Sequence, residues 1–421
     1  MSRRDFLKTL SQTAAAVSVS AAAAGAAADP WAGFPETDDP EFWDKIRGLF
    51  PLAPDSAFFN TGTLGAMPRI VLDTVIGHLR LTAERIADWD YKDADWISGY
   101  QPHMEVRSGI SRLINALPEE IALTENATAG MNYAALGLDL KAGDEILLTD
   151  QEHPGGISGW RLLEKRRGVV CREIAVPKPA RDPEQILDLF IKAMTPRSRV
   201  LAVPHIISGS GAILPIRELC AEARRRGLFT VIDGAQSVGH IPVDVRDLDC
   251  DAYYGSLHKW ILAPAGTGFL YVKKDRMPDI WTTLASTQWD NSEDPGFRLG
   301  QRGTGNLSLL FGCEAALEFH FRIGPERIHT RIRELGDMLR AGLSAVPGVR
   351  VLTPLHPAMA AGITVYAVEG WTGERIQDEL WARARIRPRF QSDGISIRQS
   401  THIYNSPEDI ERTLEILQGL T

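Results

Sequence analysis

Through the middle of the chain, short apolar runs bounded by turn residues alternate with longer stretches whose apolar positions recur every three or four residues. The runs at 145–149, 169–174, 200–204, 230–232, 252–254 and 268–272 predict strands, and 156–166, 182–194 and 216–226 predict helices between them. Strands separated by helix-length segments form βαβ units, whose stable packing is a mostly parallel sheet covered by helices on both faces. After about residue 300 the rhythm changes. There, 312–322 and 326–345 read as long helices, 349–352 and 362–367 as strands, and 407–420 as a closing helix. The pattern predicts an α/β protein with a large domain over 70–299 and a smaller α+β domain over 300–421.

Residues 1–28 stand apart. Arg3-Arg4 opens a charged start, an Ala/Ser/Val stretch follows, and Ala26-Ala27-Ala28 precedes Asp29-Pro30. This resembles a twin-arginine export signal, which implies the twin-arginine translocation machinery as a partner and a periplasmic or secreted location. Ala and Ser dominate the stretch, too weakly apolar for a membrane-spanning helix. That route carries folded proteins, so it points to a cofactor inserted before export.

Composition narrows the chemistry. Of 421 residues, 44% are hydrophobic and 24% charged, an ordinary globular balance rather than a disordered one. A formal charge of −8 with no basic tract argues against nucleic acid as a partner. The 4 cysteines are scattered without CxxC pairing, which argues against a zinc ribbon, an iron–sulfur cluster or a disulfide framework. No H-E-x-x-H and no His/carboxylate cluster is present, so no metal is expected. No G-x-G-x-x-G joins a strand to a helix, which disfavours a dinucleotide oxidoreductase.

The candidate chemistry sits at strand ends, where open α/β sheets bind ligands. Thr230-Val-Ile-Asp-Gly-Ala-Gln-Ser237 ends a β-branched strand in a carboxylate, followed at once by small residues. Tyr254-Gly-Ser-Leu-His-Lys-Trp260 comes next, then Ala265-Gly-Thr-Gly-Phe-Leu-Tyr-Val272. Alone, the lysine reads as a solvated residue and the aspartate as a turn former. In this order they resemble the pyridoxal 5′-phosphate site of fold-type I enzymes, specifically the class V aminotransferase family, which includes cysteine desulfurases and isopenicillin N epimerases. The resemblance runs from about residue 58 to the C-terminus.

It implies a role for each matching position. Lys259 would form the imine with the cofactor aldehyde, and Asp233 would keep the pyridine nitrogen protonated. His153, after Asp150-Gln-Glu, would stack on the ring; these three make the catalytic set. Gln236 would hydrogen-bond the ring hydroxyl. In Thr124-Glu-Asn-Ala-Thr-Ala-Gly-Met-Asn132, Ala127 and Thr128 would hold the phosphate at a helix start, completed by Ser256 and His258. Thr304, in Gly303-Thr-Gly-Asn306, would reach the phosphate across a homodimer. Arg398 would grip a substrate α-carboxylate through two parallel hydrogen bonds. Asn60 and Thr61 lie in the 29–69 segment, which would border the substrate.

Departures from the family choose the branch. The stretch 384–394 has no cysteine where desulfurases carry their nucleophile. Ser208, in Pro204-His-Ile-Ile-Ser-Gly-Ser-Gly211, and Lys259-Trp260 before Ala263-Pro264 resemble the epimerase branch, with Arg387 and Arg389 placed to face a substrate side chain. The expected activity is chemistry at Cα of an amino-acid-like or peptide substrate with an amino group beside a carboxylate, by epimerisation or amino transfer, through a Lys Schiff base and a quinonoid carbanion. Export fits tailoring of a secondary metabolite. A β-eliminating carbon–sulfur lyase and a catalytically silent binding module are the alternatives.

Overall fold

The computed structural model describes residues 31–88 and 101–421. The export-signal reading therefore falls outside the described residues. The chain begins its sheet structure with a short β1 (Ala57–Phe58), then builds a seven-stranded sheet from β2 (Ile121–Thr124), β3 (Glu145–Thr149), β4 (Val170–Ile174), β5 (Ser198–Pro204), β6 (Phe229–Asp233), β7 (Ala252–Ser256) and β8 (Gly268–Val272). Their spatial order is β2-β8-β7-β6-β5-β3-β4. All neighbours from β7 to β4 pair in parallel, and β8 alone runs against the rest. The mostly parallel sheet expected from the alternation is present.

The central strands are buried on both faces. Ile146 and Leu148 of β3 and Val200 and Ala202 of β5 join one core. Leu147, Leu201 and Val203, pointing the other way, join a second. Helices on both sides make this possible, and it is why these strands read as continuous apolar runs. Polar cap residues set the helix starts: Asp182 accepts from the Gln185 amide, and Ser406 from the Asp409 amide. The strand expected at 230–232 extends through Asp233, so that carboxylate closes a strand.

The C-terminal part carries β9 (Val349–Val351), β10 (Ile363–Val368), β11 (Ile386–Arg387), β12 (Arg389–Phe390) and β13 (Ser396–Ser400). Four of these form an antiparallel sheet ordered β12-β13-β10-β9. The fifth, β11, pairs in parallel with β1. The Ser400 amide donates to the Phe59 carbonyl at 2.7 Å, and Asn405 Nδ2 to the Phe58 carbonyl at 3.0 Å. These bonds fasten the loop at 60–63 against β13, and with it one wall of the site.

Candidate active site

Order in the sheet reverses at β3, with β4 on one side and β5 on the other. A crevice outside the carboxyl ends of strands at such a switch is where open α/β sheets take ligands. A pocket of about 320 Å³ lies there. Asp233, Gln236, Lys259, His153, Arg389 and Arg398 line it, together with Ala127, Thr128, Ser256 and His258.

Asp233 is 7% exposed, and its Oδ1 accepts from the Ala235 amide at 2.8 Å. Burial raises its pKa, while that amide, the Lys259 charge and the Tyr254 hydroxyl act the other way. Glu152 lies close by. Its Oε1 accepts from the Thr149 amide at 3.0 Å and hydroxyl at 2.8 Å, and burial pushes it up to about 8, which leaves it neutral at pH 7. Burial, followed by the Arg398 and Arg389 charges, brings Lys259 down to about 8 against the opposing pull of Asp233. A lysine with that pKa is partly neutral near pH 7, the form that attacks an aldehyde.

His153 is the N-cap of the helix Pro154–Arg167, and its Nδ1 accepts from the Gly155 amide at 3.0 Å. The hydrogen of the neutral ring is therefore on Nε2. Desolvation in the pocket, then the Lys259, Arg389 and Arg398 charges, push its pKa down to about 4. A neutral imidazole results, suited to lying against an aromatic ring. The following turn is cut close: a Cβ on Gly156 would stand 2.9 Å from Asp233 Oδ2.

Gln236 is 4% exposed and pinned from two sides. Its Oε1 accepts from Trp260 Nε1 at 2.9 Å, and its Nε2 donates to the Gly62 carbonyl at 2.8 Å. One Nε2 hydrogen is left over. At the other end of the pocket the helix Ala127–Gly137 presents its first turn. Asn126 caps the Ala129 amide at 2.9 Å, and Ser256 Oγ accepts from the Ala127 amide at 2.9 Å. Ala127 thus lines the pocket with its amide already engaged, which leaves the Thr128 amide as the first-turn donor without an intrahelical partner. Buried His258 Nδ1 has no hydrogen-bond partner. Burial and the neighbouring Lys259 lower that imidazole to about 4. A free helix amide and the Thr128 and Ser256 hydroxyls form a donor set for phosphate, which the orphaned His258 Nδ1 would join once an adjacent anion protonates the ring. A buried carboxylate for a ring nitrogen, a pinned amide and a partly neutral lysine complete the fit to pyridoxal phosphate.

Arg398 on β13 is only 2% exposed. It donates to Ser208 Oγ at 2.8 Å, Thr63 Oγ1 at 2.9 Å and Asn60 Oδ1 at 3.0 Å. All three are neutral acceptors; among the described residues no carboxylate pairs with it. Burial, then the Arg389 charge, lowers it to about 9, so it stays cationic near neutrality.

The sequence-predicted residues separate here. Asn60 reaches the site through Arg398, whereas Thr61 is fully buried, bonds Tyr404 and does not line the pocket. Thr63, two positions on, is a pocket residue that sequence reasoning missed. Trp260, Tyr254 and Glu152 were missed as supports. Ser208, read from sequence only as a branch marker, is a ligand of Arg398. Arg387 lies over the Trp381 ring at 4.0 Å and outside the pocket lining, while Arg389 is within it. Thr304 lines a separate cavity of about 480 Å³.

Comparisons with known proteins bear on the fold and the family. Isopenicillin N epimerase from Streptomyces clavuligerus is 33% identical over 396 residues, spanning 90% of this chain and 98% of that protein. A probable cysteine desulfurase from Xylella fastidiosa (strain 9a5c) is 28% identical, spanning 89% and 94%. A solved structure of a C-DES lysine-to-alanine mutant, with glycine covalently linked to its PLP cofactor, superimposes with a TM-score of 0.80 at 28% identity, over 88% of this chain and 98% of that one. The aminotransferase class-V profile matches residues 98–413. With the fold, the lysine–aspartate pocket and this match in agreement, the chain belongs to the class-V aminotransferase family of pyridoxal-phosphate enzymes.

Proposed function

We propose that this enzyme acts at Cα of an amino-acid-like substrate with a free α-carboxylate, by proton removal and return of the epimerase type. The observation that carries the reading is Arg398: a buried guanidinium with only neutral partners, in one pocket with a lysine of lowered pKa. A buried cation without a counter-charge is costly, and an incoming carboxylate supplies one. Pyridoxal phosphate supplies an aldehyde that condenses with amines and a ring that draws electrons from the bonds at Cα. Arg398 would orient the substrate by its carboxylate, Asp233 would hold a proton toward the cofactor's ring nitrogen, and Lys259 Nζ would take the Cα proton from one face, inversion following when a proton returns to the opposite face.

The cysteines support the choice against a persulfide-forming desulfurase. None lines the pocket, and burial pushes Cys171 up to about 11 and Cys220 and Cys313 up to about 12. A β-eliminating carbon–sulfur lyase needs no protein thiol, and the likeness to the cystine C–S lyase C-DES, with a TM-score of 0.78, favours it as the second reading. Export by the twin-arginine route, read from Arg3-Arg4 and the small residues before Asp29, and a homodimer in which Thr304 completes the partner's phosphate cup belong to the same proposal.

The test is an absorption spectrum of the holoenzyme and of Lys259→Ala, before and after borohydride, with Cα-proton exchange of candidate amino acids followed in heavy water. Colour fixed covalently at Lys259, with exchange and inversion at Cα, is the expected result. Release of a keto acid from cystine without inversion establishes the lyase reading. Failure to exchange any Cα proton while the cofactor is bound removes both.

A further inference from the structure

Arg389, expected from the sequence to face a substrate side chain, takes no part in the chemistry proposed above. It stands directly opposite Arg398 in the antiparallel pair β12–β13, so both side chains leave the same face of that sheet. Like charges placed directly opposite each other destabilise a strand pair. Here one hydroxyl bridges them: Thr63 Oγ1 accepts from Arg389 at 2.8 Å and from Arg398 at 2.9 Å, and donates to Asn60 Oδ1 at 2.8 Å. The two guanidinium nitrogens are thus no farther apart than those two bonds laid end to end.

We propose that Arg389 is the receptor for a second carboxylate, at the distal end of the substrate side chain, so that the preferred substrate is a dicarboxylic amino acid. This rests on the proposed function for the first carboxylate and the amino group. Arg398 is buried at the pocket floor, whereas Arg389 is exposed and lines the same pocket. A deep and a shallow guanidinium in one cavity match an anion at each end of a short chain. Protein carboxylates do not fill the role. Asp393, beyond β12, is engaged by Ser396 at 2.6 Å and by Lys178 at 3.4 Å. Asp233 is the only acidic residue in the lining, and its Oδ1 is taken by the Ala235 amide. An edge strand also carries charge simply to prevent pairing with other chains. Arg389 departs from that use because it turns inward to Thr63 and lowers the pKa of Lys259, His153 and Arg398 through the space between them.

The experiment titrates the holoenzyme with glutamate, 2-aminoadipate and 2-aminopimelate, in both enantiomers, beside norvaline and norleucine. Binding is read from the change in cofactor absorbance. At least one dicarboxylate is expected to bind roughly tenfold or more tighter than the uncharged amino acids. Arg389→Gln should abolish that preference by weakening dicarboxylate binding far more than norleucine binding, Arg389→Lys should keep part of it, and Arg387→Gln should leave it intact. Equal binding of charged and uncharged side chains, or an equal loss of both in Arg389→Gln, overturns the proposal; the second result would mean that both arginines hold the same α-carboxylate. A cofactor spectrum that changes without preference defeats this inference alone. A bound cofactor that no amino acid perturbs defeats the underlying function, and this inference with it.

Discussion

At the residue scale the site keeps a lysine charge where burial opposes it. The folded pKa of Lys259 is about 8 against an ordinary 10.5, so between those values the folded chain holds fewer protons than the unfolded one. Stability of the cofactor-free protein from this group therefore rises with pH across that window, and the penalty is fully present below about pH 8. Lys259→Met, similar in length and uncharged, should raise the melting temperature of the cofactor-free protein at pH 7, and the difference from wild type should shrink by pH 10. A variant that melts lower at pH 7 would show that the charge is well accommodated. Gln236 makes a second case. Replacing it with leucine strands the Trp260 indole N–H and the Gly62 carbonyl, each buried polar group costing about 1–3 kcal/mol. Denaturant unfolding should register that loss, and Gln236→Glu, which keeps an acceptor for Trp260, should recover part of it. Neither support was visible in the sequence: both link positions that only the fold brings together. Asp233 ends a strand and Lys259 follows one in a fixed order, which made them legible, whereas Arg398, mid-strand in β13, was read only through the family resemblance. Thr61 and Thr63 have the same residue type in one loop, and only the bond from Thr61 to Tyr404 tells which of them turns away.

At the element scale, what the sequence disclosed follows how each element is buried. Central strands packed on both faces gave uninterrupted apolar runs, and their order along the chain could be read directly. The phosphate-side helix Ala127–Gly137 was not predicted by periodicity, because Met131, Ala134, Ala135 and Tyr133 bury it on several sides and no polar stripe marks a solvent face. Edge strand β2 has four residues and β12 two, too short for any period. Register was invisible as well, yet the pairing of Arg389 with Arg398 depends on it. The turn between His153 and its helix offers the sharpest test. Gly156→Ala adds a good helix former in the first turn, so circular dichroism should be unchanged. The new Cβ meets Asp233 Oδ2, and cofactor affinity should fall roughly tenfold or more as the carboxylate is displaced. Unaltered affinity would mean that Asp233 can shift without losing its partner.

At the scale of the whole molecule, the remaining question is what completes the phosphate cup. The loop bearing Thr304 is anchored beside the phosphate turn, since Arg302 donates to the Leu123 carbonyl at 2.7 Å and pairs with Glu125 at 2.6 Å, yet Thr304 itself opens onto a different cavity. Leu284 lines that same cavity and is 51% exposed; Trp281 and Trp289, at the ends of the segment closed by the Thr282 hydroxyl on the Trp289 carbonyl, are 68% and 52% exposed. So many large apolar side chains on one short segment are unusual for a lone protein surface and suit burial against a second copy. The proposed homodimer would bring each Thr304 to the partner's pocket. The holoenzyme should sediment with twice the chain mass, and Trp281→Glu combined with Leu284→Glu should give monomers that retain secondary structure but release cofactor more readily. Thr304→Ala should loosen the cofactor while leaving the dimer intact, which separates contact from assembly. Monomers of the double variant that hold the cofactor as tightly as wild type would show that the cup is complete within one chain, with Thr128, Ser256 and His258 sufficient for the phosphate.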